Sequence, residues 1–178
     1  MRTLILCLSI GLGLWPPAAL ADDRPDDRGI AHNRTFLNAF LTRCMPAAHT
    51  RSPVDPSGMI ELPDELATQW LQGEQGTVWK FDAEHDVLLA SDRPDHCFVV
   101  SKYSDVEDLR DQVAFWFDED ATGFTQDAFE TKPSGEFRAS YSLDQKDGWR
   151  RRILIQARPV PESGGIAIMG TAGFVLGG

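Results

Sequence analysis

The chain has 178 residues, 42 % of them hydrophobic with ten Phe and five Trp, enough apolar material for one domain-sized core and too much for global disorder. Against 17 Lys and Arg stand 27 Asp and Glu, a net charge of −10 with His neutral, and so acidic a field disfavours nucleic acid and anionic lipid as partners. No Cys-x-x-Cys and no Gly-x-Ser-x-Gly occurs, so dithiol redox chemistry and the serine-hydrolase elbow have no sequence basis.

The first residues read as an address. Arg2 precedes an apolar run from Leu4 to Leu14, Pro16-Pro17 breaks it, and Ala19-Leu20-Ala21 presents small residues where a signal peptidase reads. Residues 1–21 are expected to be a secretory signal peptide, cleaved before Asp22. The run is too short to span a bilayer, and Cys7 follows Leu6 rather than the small residue that lipidation needs. Cleavage removes one of the 17 basic residues, leaving 157 residues that carry 16 basic and 27 acidic groups, a charge of −11. The expected location is the periplasm or the medium, with no membrane span after cleavage. Cys44 and Cys97 are then an even pair in an oxidising compartment, and a disulfide between them is expected.

Taken in order, residues 22–32 are charged and turn-rich and predict a disordered arm; residues 33–178 predict a single α+β domain. Asn33 suits a helix cap, and Phe36, Phe40 and Cys44 recur at helical spacing until Pro46, which is expected to end the helix. Pro63-Asp64-Glu65 opens a short helix with Leu66 and Trp70 as its core contacts and Gly73 at its end. Residues 77–81, 87–90 and 96–101 read as three strands joined by polar turns. Ser104 to Glu107 is a capping box for a helix whose apolar face is Val106, Leu109, Val113 and Trp116. After the acidic run 118–120 come three more strands, at residues 136–143, 149–157 and 165–174. The fold class predicted is α+β: an antiparallel sheet of about six strands in two three-stranded meanders, each preceded by helix, with the helices on one face.

Chemistry-bearing residues are few, and no catalytic residue or cofactor is expected. Asp118, Asp120, Thr122 and Gly123 fall at positions 1, 3, 5 and 6 of a calcium loop, but position 12 is Phe129 and Glu130 comes one residue late. Asp118, Asp120, Thr122 and Glu130 are therefore weak metal candidates, better explained as an acidic turn. His85 with Asp86 and His96 with Asp95 sit at two turns on opposite ends of one strand, too far apart for a shared zinc site; His32 falls in the arm and His49 in a loop. Alternation along residues 149–158 sets Trp149, Arg151, Ile153, Ile155 and Ala157 on one sheet face. Arg150, Arg152 and Arg158 share the other, with Arg138 expected alongside. This basic, hydroxyl-rich strip on an acidic protein suits an anionic small ligand or an acidic protein surface.

The order Phe36-(x3)-Phe40-(x3)-Cys44, Trp79, Cys97-Phe98-Val99-Val100, a capped helix and a final strand set resembles a loose group of small exported two-cysteine proteins of Gram-negative bacteria, some lipidated, with no assigned activity. The resemblance implies a periplasmic home and agrees with the disulfide; it supplies no catalytic residues. The reading that results is a non-enzymatic binding or interaction module of the periplasm. Its alternative is an envelope hydrolase or metal-dependent enzyme using His and acidic residues of the meander turns.

Overall fold

A computed structural model of the chain describes residues 25–71, 75–159 and 165–176. The signal segment 1–21 and Gly73 lie outside these residues. Among them, eight strands form one antiparallel sheet: β1 (Ile60–Glu61), β2 (Thr77–Lys80), β3 (Val87–Arg93), β4 (His96–Ser101), β5 (Thr125–Thr131), β6 (Phe137–Asp144), β7 (Trp149–Ala157) and β8 (Ile168–Leu176). Their order is β1-β2-β3-β4-β8-β7-β6-β5. Each half is a four-stranded meander, and the two meet where β4 pairs with β8, Cys97 opposite Ala172 and Val99 opposite Gly170.

The α+β class stands, with eight strands in place of about six. Both additions are edge strands that periodicity cannot show. β1 is two residues long, and β5 is exposed or half-exposed throughout, so neither carries an apolar alternation.

The helical N-terminal segment departs from expectation in three ways. Helix α1 (Pro25–Ala39) already occupies most of the supposed disordered arm, and His32 is buried within it. Asn33 is no cap: from mid-helix its Nδ2 donates to Asp105 O and to Asp108 Oδ2, both at 2.7 Å. Nor does Pro46 end the helix. A π turn (Phe40–Cys44) widens the ladder, Met45 N–H bonding Phe40 O five residues back, and α2 (Met45–Thr50) resumes with Pro46 at its start, where a missing N–H costs nothing.

The main core lies between these helices, α4 (Val106–Trp116) and the inner face of the sheet. Phe36 and Phe40 stack with ring centres 6.0 Å apart and press on Gly170 of β8, where an added Cβ would come within 2.8 Å of Phe36 Cζ. The Cys44–Cys97 disulfide, with Cα atoms 5.6 Å apart, ties the π turn to β4 as the pairing predicted. In α4 the buried positions are Leu109 and Val113; Trp116 is exposed, and Phe117, one residue on, enters the core instead. Asp105 rather than Ser104 caps this helix, accepting Asp108 N–H at 3.0 Å.

Helix α3 (Asp64–Trp70) corrects the expectation that all helices share one face. Ala67 and Leu71, not Leu66, are its buried contacts, and they pack with Val78 and Ala90 on the opposite side of the sheet. The apolar residues of β3 alternate between the two sides. Leu89 joins the main core and Ala90 the small one, so the sheet is covered on both faces here.

Candidate functional site

On β6 and β7 the alternation holds as read from the sequence. Ile153, Ile155 and Ala157 are buried on the inner face, and Arg151 is buried among them. The outer face is built in rows across paired strands: Asp144, Arg150 and Val175; Ser142, Arg152 and Gly173; Ser140, Leu154 and Thr171; Arg138, Gln156 and Met169. Arg138, Arg150 and Arg152 therefore share a side, which Leu154 and Gln156 divide into two ends, and Arg158 follows just beyond the end of β7. Arg152 and Arg158 are six residues apart on or beside one strand, about 20 Å at strand rise.

The two ends differ chemically. Arg150 is engaged by its own chain: Nε donates to Asp144 Oδ1 at 2.6 Å and Nη2 to Oδ2 at 3.3 Å. This bonding holds the Asp144 carboxyl below its ordinary value. The expectation that Arg150 is available to a partner is corrected accordingly. Asp127 adds a second carboxylate nearby, accepting Ser142 Oγ–H at 2.9 Å. At the other end Arg138 is exposed and makes no hydrogen bond or ion pair among the described residues, although Glu130 is its cross-strand neighbour. Arg158 is positioned by Nε donating to Ile166 O at 2.7 Å. Lys132 is bonded to Glu136 at 3.1 Å.

Beside Arg138 and Arg158 the surface folds into a cleft of about 340 Å³. Its walls combine these guanidinium groups and Lys132 with the Glu136 carboxylate, which Lys132 neutralises, the Gln156 amide and the apolar side chains of Ile166 and Met169. That is a small concave site with convergent donors on an apolar floor, the usual composition of a ligand pocket at the lower end of the size range. Arginine at such a site presents two parallel N–H groups to a carboxylate or phosphate.

The remaining candidates are scattered. Asp118 is spent as a helix cap for α5 (Glu119–Thr122), its Oδ1 accepting Ala121 N–H at 3.1 Å, and Thr122 Oγ1 donates back to Asp118 O at 2.8 Å. Asp120 is exposed, and Glu130 is carried off along β5, about 17 Å beyond Thr125 at strand rise. These residues do not converge on an ion. His85 bonds Asp82 at 2.9 Å and His96 bonds Asp92 at 2.7 Å, at opposite ends of β3. Asp86 lies near Lys80 and Lys102, and Asp95 near Arg93. The His85, His96, Asp86 and Asp95 constellation thus does not assemble, and no group of three or more potential ligands stands together among the described residues.

Two groupings were not visible in the sequence. His32, carried by α1, lies beside His85 with ring centres 5.1 Å apart. Arg151 sits between the faces of Phe124 and Phe174, within hydrogen-bond reach of His49 Nδ1, with its Nε unpartnered and its basicity lowered by burial. Only Arg151 had left a signal, a charged residue in a run of inward positions.

Comparison with protein-family models, with curated proteins and with solved structures finds no match for this chain.

Proposed function

We propose that the mature chain is an exported, non-enzymatic binding module of the periplasm that holds a small anionic ligand in the cleft beside Arg138 and Arg158. One observation carries the reading: an exposed arginine without a partner among the described residues borders a concave site, on a protein of net charge −10 where Lys132 and Arg150 are paired with acids of their own chain. An exposed guanidinium contributes little to stability, whereas facing a cleft it contributes orientation and charge to a bound carboxylate or phosphate. The volume suits a small acid or the acidic end of a larger molecule. The export half of the reading rests on the signal-like segment 1–21, the resemblance to small exported two-cysteine proteins, and a disulfide of the kind that persists in oxidising compartments.

The test uses residues 22–178 with native disulfide, titrated with succinate, inorganic phosphate and a hexaglutamate peptide. Saturable binding of a small anion is expected, weakening as salt rises and falling at least tenfold in Arg138→Ser/Arg158→Ser, with an unchanged melting temperature. Binding of hexaglutamate alone would assign the face to an acidic protein partner and overturn the small-ligand reading. Equal affinities in wild type and double variant would overturn the site. N-terminal sequencing of the exported protein should begin at Asp22.

A further inference from the structure

His32 and His85 come from segments that the sequence gives no reason to join, a helix and the turn between β2 and β3. Their rings nonetheless meet nearly at right angles, 81° apart in plane, with centres separated by 5.1 Å. The hydrogen bonding of each ring determines its tautomer. His32 Nδ1 lies 2.8 Å from Arg28 O, and a carbonyl can only accept, so Nδ1 carries the proton. His85 Nδ1 lies 2.9 Å from Asp82 Oδ2, again an acceptor. The other oxygen of that carboxylate takes His85 N–H at 2.6 Å and Glu84 N–H at 3.0 Å. Burial of Asp82 favours its protonation, but the bonds from His85 and Glu84 outweigh this and keep the carboxyl below its ordinary value. In the neutral form of each imidazole Nε2 is then the lone-pair nitrogen, and neither Nε2 has a partner among the described residues.

A carbonyl on one Nδ1–H and a carboxylate on the other is the arrangement that orients metal-bound histidines. The ring-centre spacing, which is also that of an ordinary edge-to-face contact, is one that a shared ion could use. A metal about 2.0–2.1 Å from each Nε2 stands roughly 3.2 Å from each ring centre, and a tetrahedral angle then separates the centres by about 5.2 Å. The helix side is also held in place. Gly29, one turn before His32, lies so close to the start of α4 that a Cβ there would be 2.7 Å from Asp105 N, and Asn33, the next residue, is bonded to Asp105 and Asp108. Tyr103 packs edge-on against His32 at 4.7 Å and flanks the pair.

We propose that His32 and His85 form a two-imidazole site for a divalent late transition-metal ion, zinc or copper by ligand chemistry. No third side chain of the described residues joins them. Asp86 acts on His32 through its charge, but its carboxylate is also near Lys80 at 4.0 Å and Lys102 at 3.8 Å. The remaining positions on the ion belong to water or to an incoming donor, so the site is one of exchange rather than storage. It is independent of the Arg138 cleft.

The test is calorimetric titration of tag-free, disulfide-intact residues 22–178 with zinc chloride and, separately, copper chloride. One ion per chain is expected with a Kd of about 1–100 µM, on the strength of two neutral imidazoles. His85→Ala and His32→Ala should each weaken binding at least tenfold. Asp82→Asn, which loosens the orienting bond, should weaken it severalfold. His96→Ala, a histidine with the same kind of aspartate partner but no second imidazole beside it, should bind as the wild type does. Absence of binding at 1 mM of either ion, or wild-type affinity in His85→Ala, overturns the site. His85 lies in a turn, so its variant decides the matter even where His32→Ala fails to fold.

Discussion

Gly170 of β8 lies directly beneath Phe36 of α1: a methyl group added there would stand 2.8 Å from Phe36 Cζ and 3.1 Å from two ring carbons of Phe40. The glycine has no left-handed backbone to explain it. It is there because the helix approaches the centre of the sheet more closely than any side chain would allow, at the seam where the two meanders join.

Gly170→Ala should accordingly destabilise the protein by about 1–3 kcal/mol, the usual cost of overpacking a closed core. Both phenyl rings are fully buried and have nowhere to retreat. Phe36→Leu should be destabilising alone yet recover part of the Gly170→Ala loss in the double variant. Urea denaturation of the four proteins measures the coupling, and simple additivity would show that the two residues do not share this contact.

The disulfide closes a loop spanning residues 44 to 97, for which chain entropy suggests about 4 kcal/mol. Cys44→Ser/Cys97→Ser should lose most of that, and somewhat more because both positions are buried and a hydroxyl would be left there without water. Denaturation curves of the oxidised wild type and the double variant test this, and coincident midpoints would contradict it.

Tyr141 is buried with no partner for its hydroxyl among the described residues, stacked on Phe117 with centres 4.9 Å apart. Burial pushes the phenol up from 10.0 to about 12. The folded state therefore holds this proton longer than the unfolded chain does. Its contribution is intact below pH 10 and is lost as pH rises from 10 to about 12, by up to ~2–3 kcal/mol. Tyr141→Phe should be neutral to stabilising by about 1 kcal/mol at pH 7, since it deletes an unsatisfied polar group, and should flatten the alkaline loss. Stability measured from pH 8 to 11.5 distinguishes the two proteins; a Tyr141→Phe variant less stable at pH 7 would reveal a bond to that hydroxyl.

Period and pairing arguments reached far into this fold. Strands β6 and β7 alternate so regularly that Arg138, Arg150 and Arg152 are assigned to one face and Arg151 to the other without coordinates. The cysteine pair follows from there being two such residues after the signal segment and from their places on a helix face and a strand. What escaped was whatever lacks a period of its own. Residues 22–32 carry the charge of a disordered arm, yet from Pro25 they belong to a helix anchored by groups 70 and more residues away, Asn33 bonding Asp105 and Asp108. Edge strands β1 and β5 bury too little to alternate.

The amino-acid sequence by itself determined the class of fold, the buried faces of β6 and β7, the disulfide and the side of the sheet on which Arg138, Arg150 and Arg152 stand, because each of these depends on local periodicity or on simple counting. Only the tertiary structure decided which cations are spent on their own chain and which border a cleft, since that depends on where Asp144 and the ends of β7 and β8 come to lie. The meeting of His32 with His85 is of the same kind. Each residue is locally unremarked, and their chemistry exists only once a helix and a distant turn are packed 5.1 Å ring to ring.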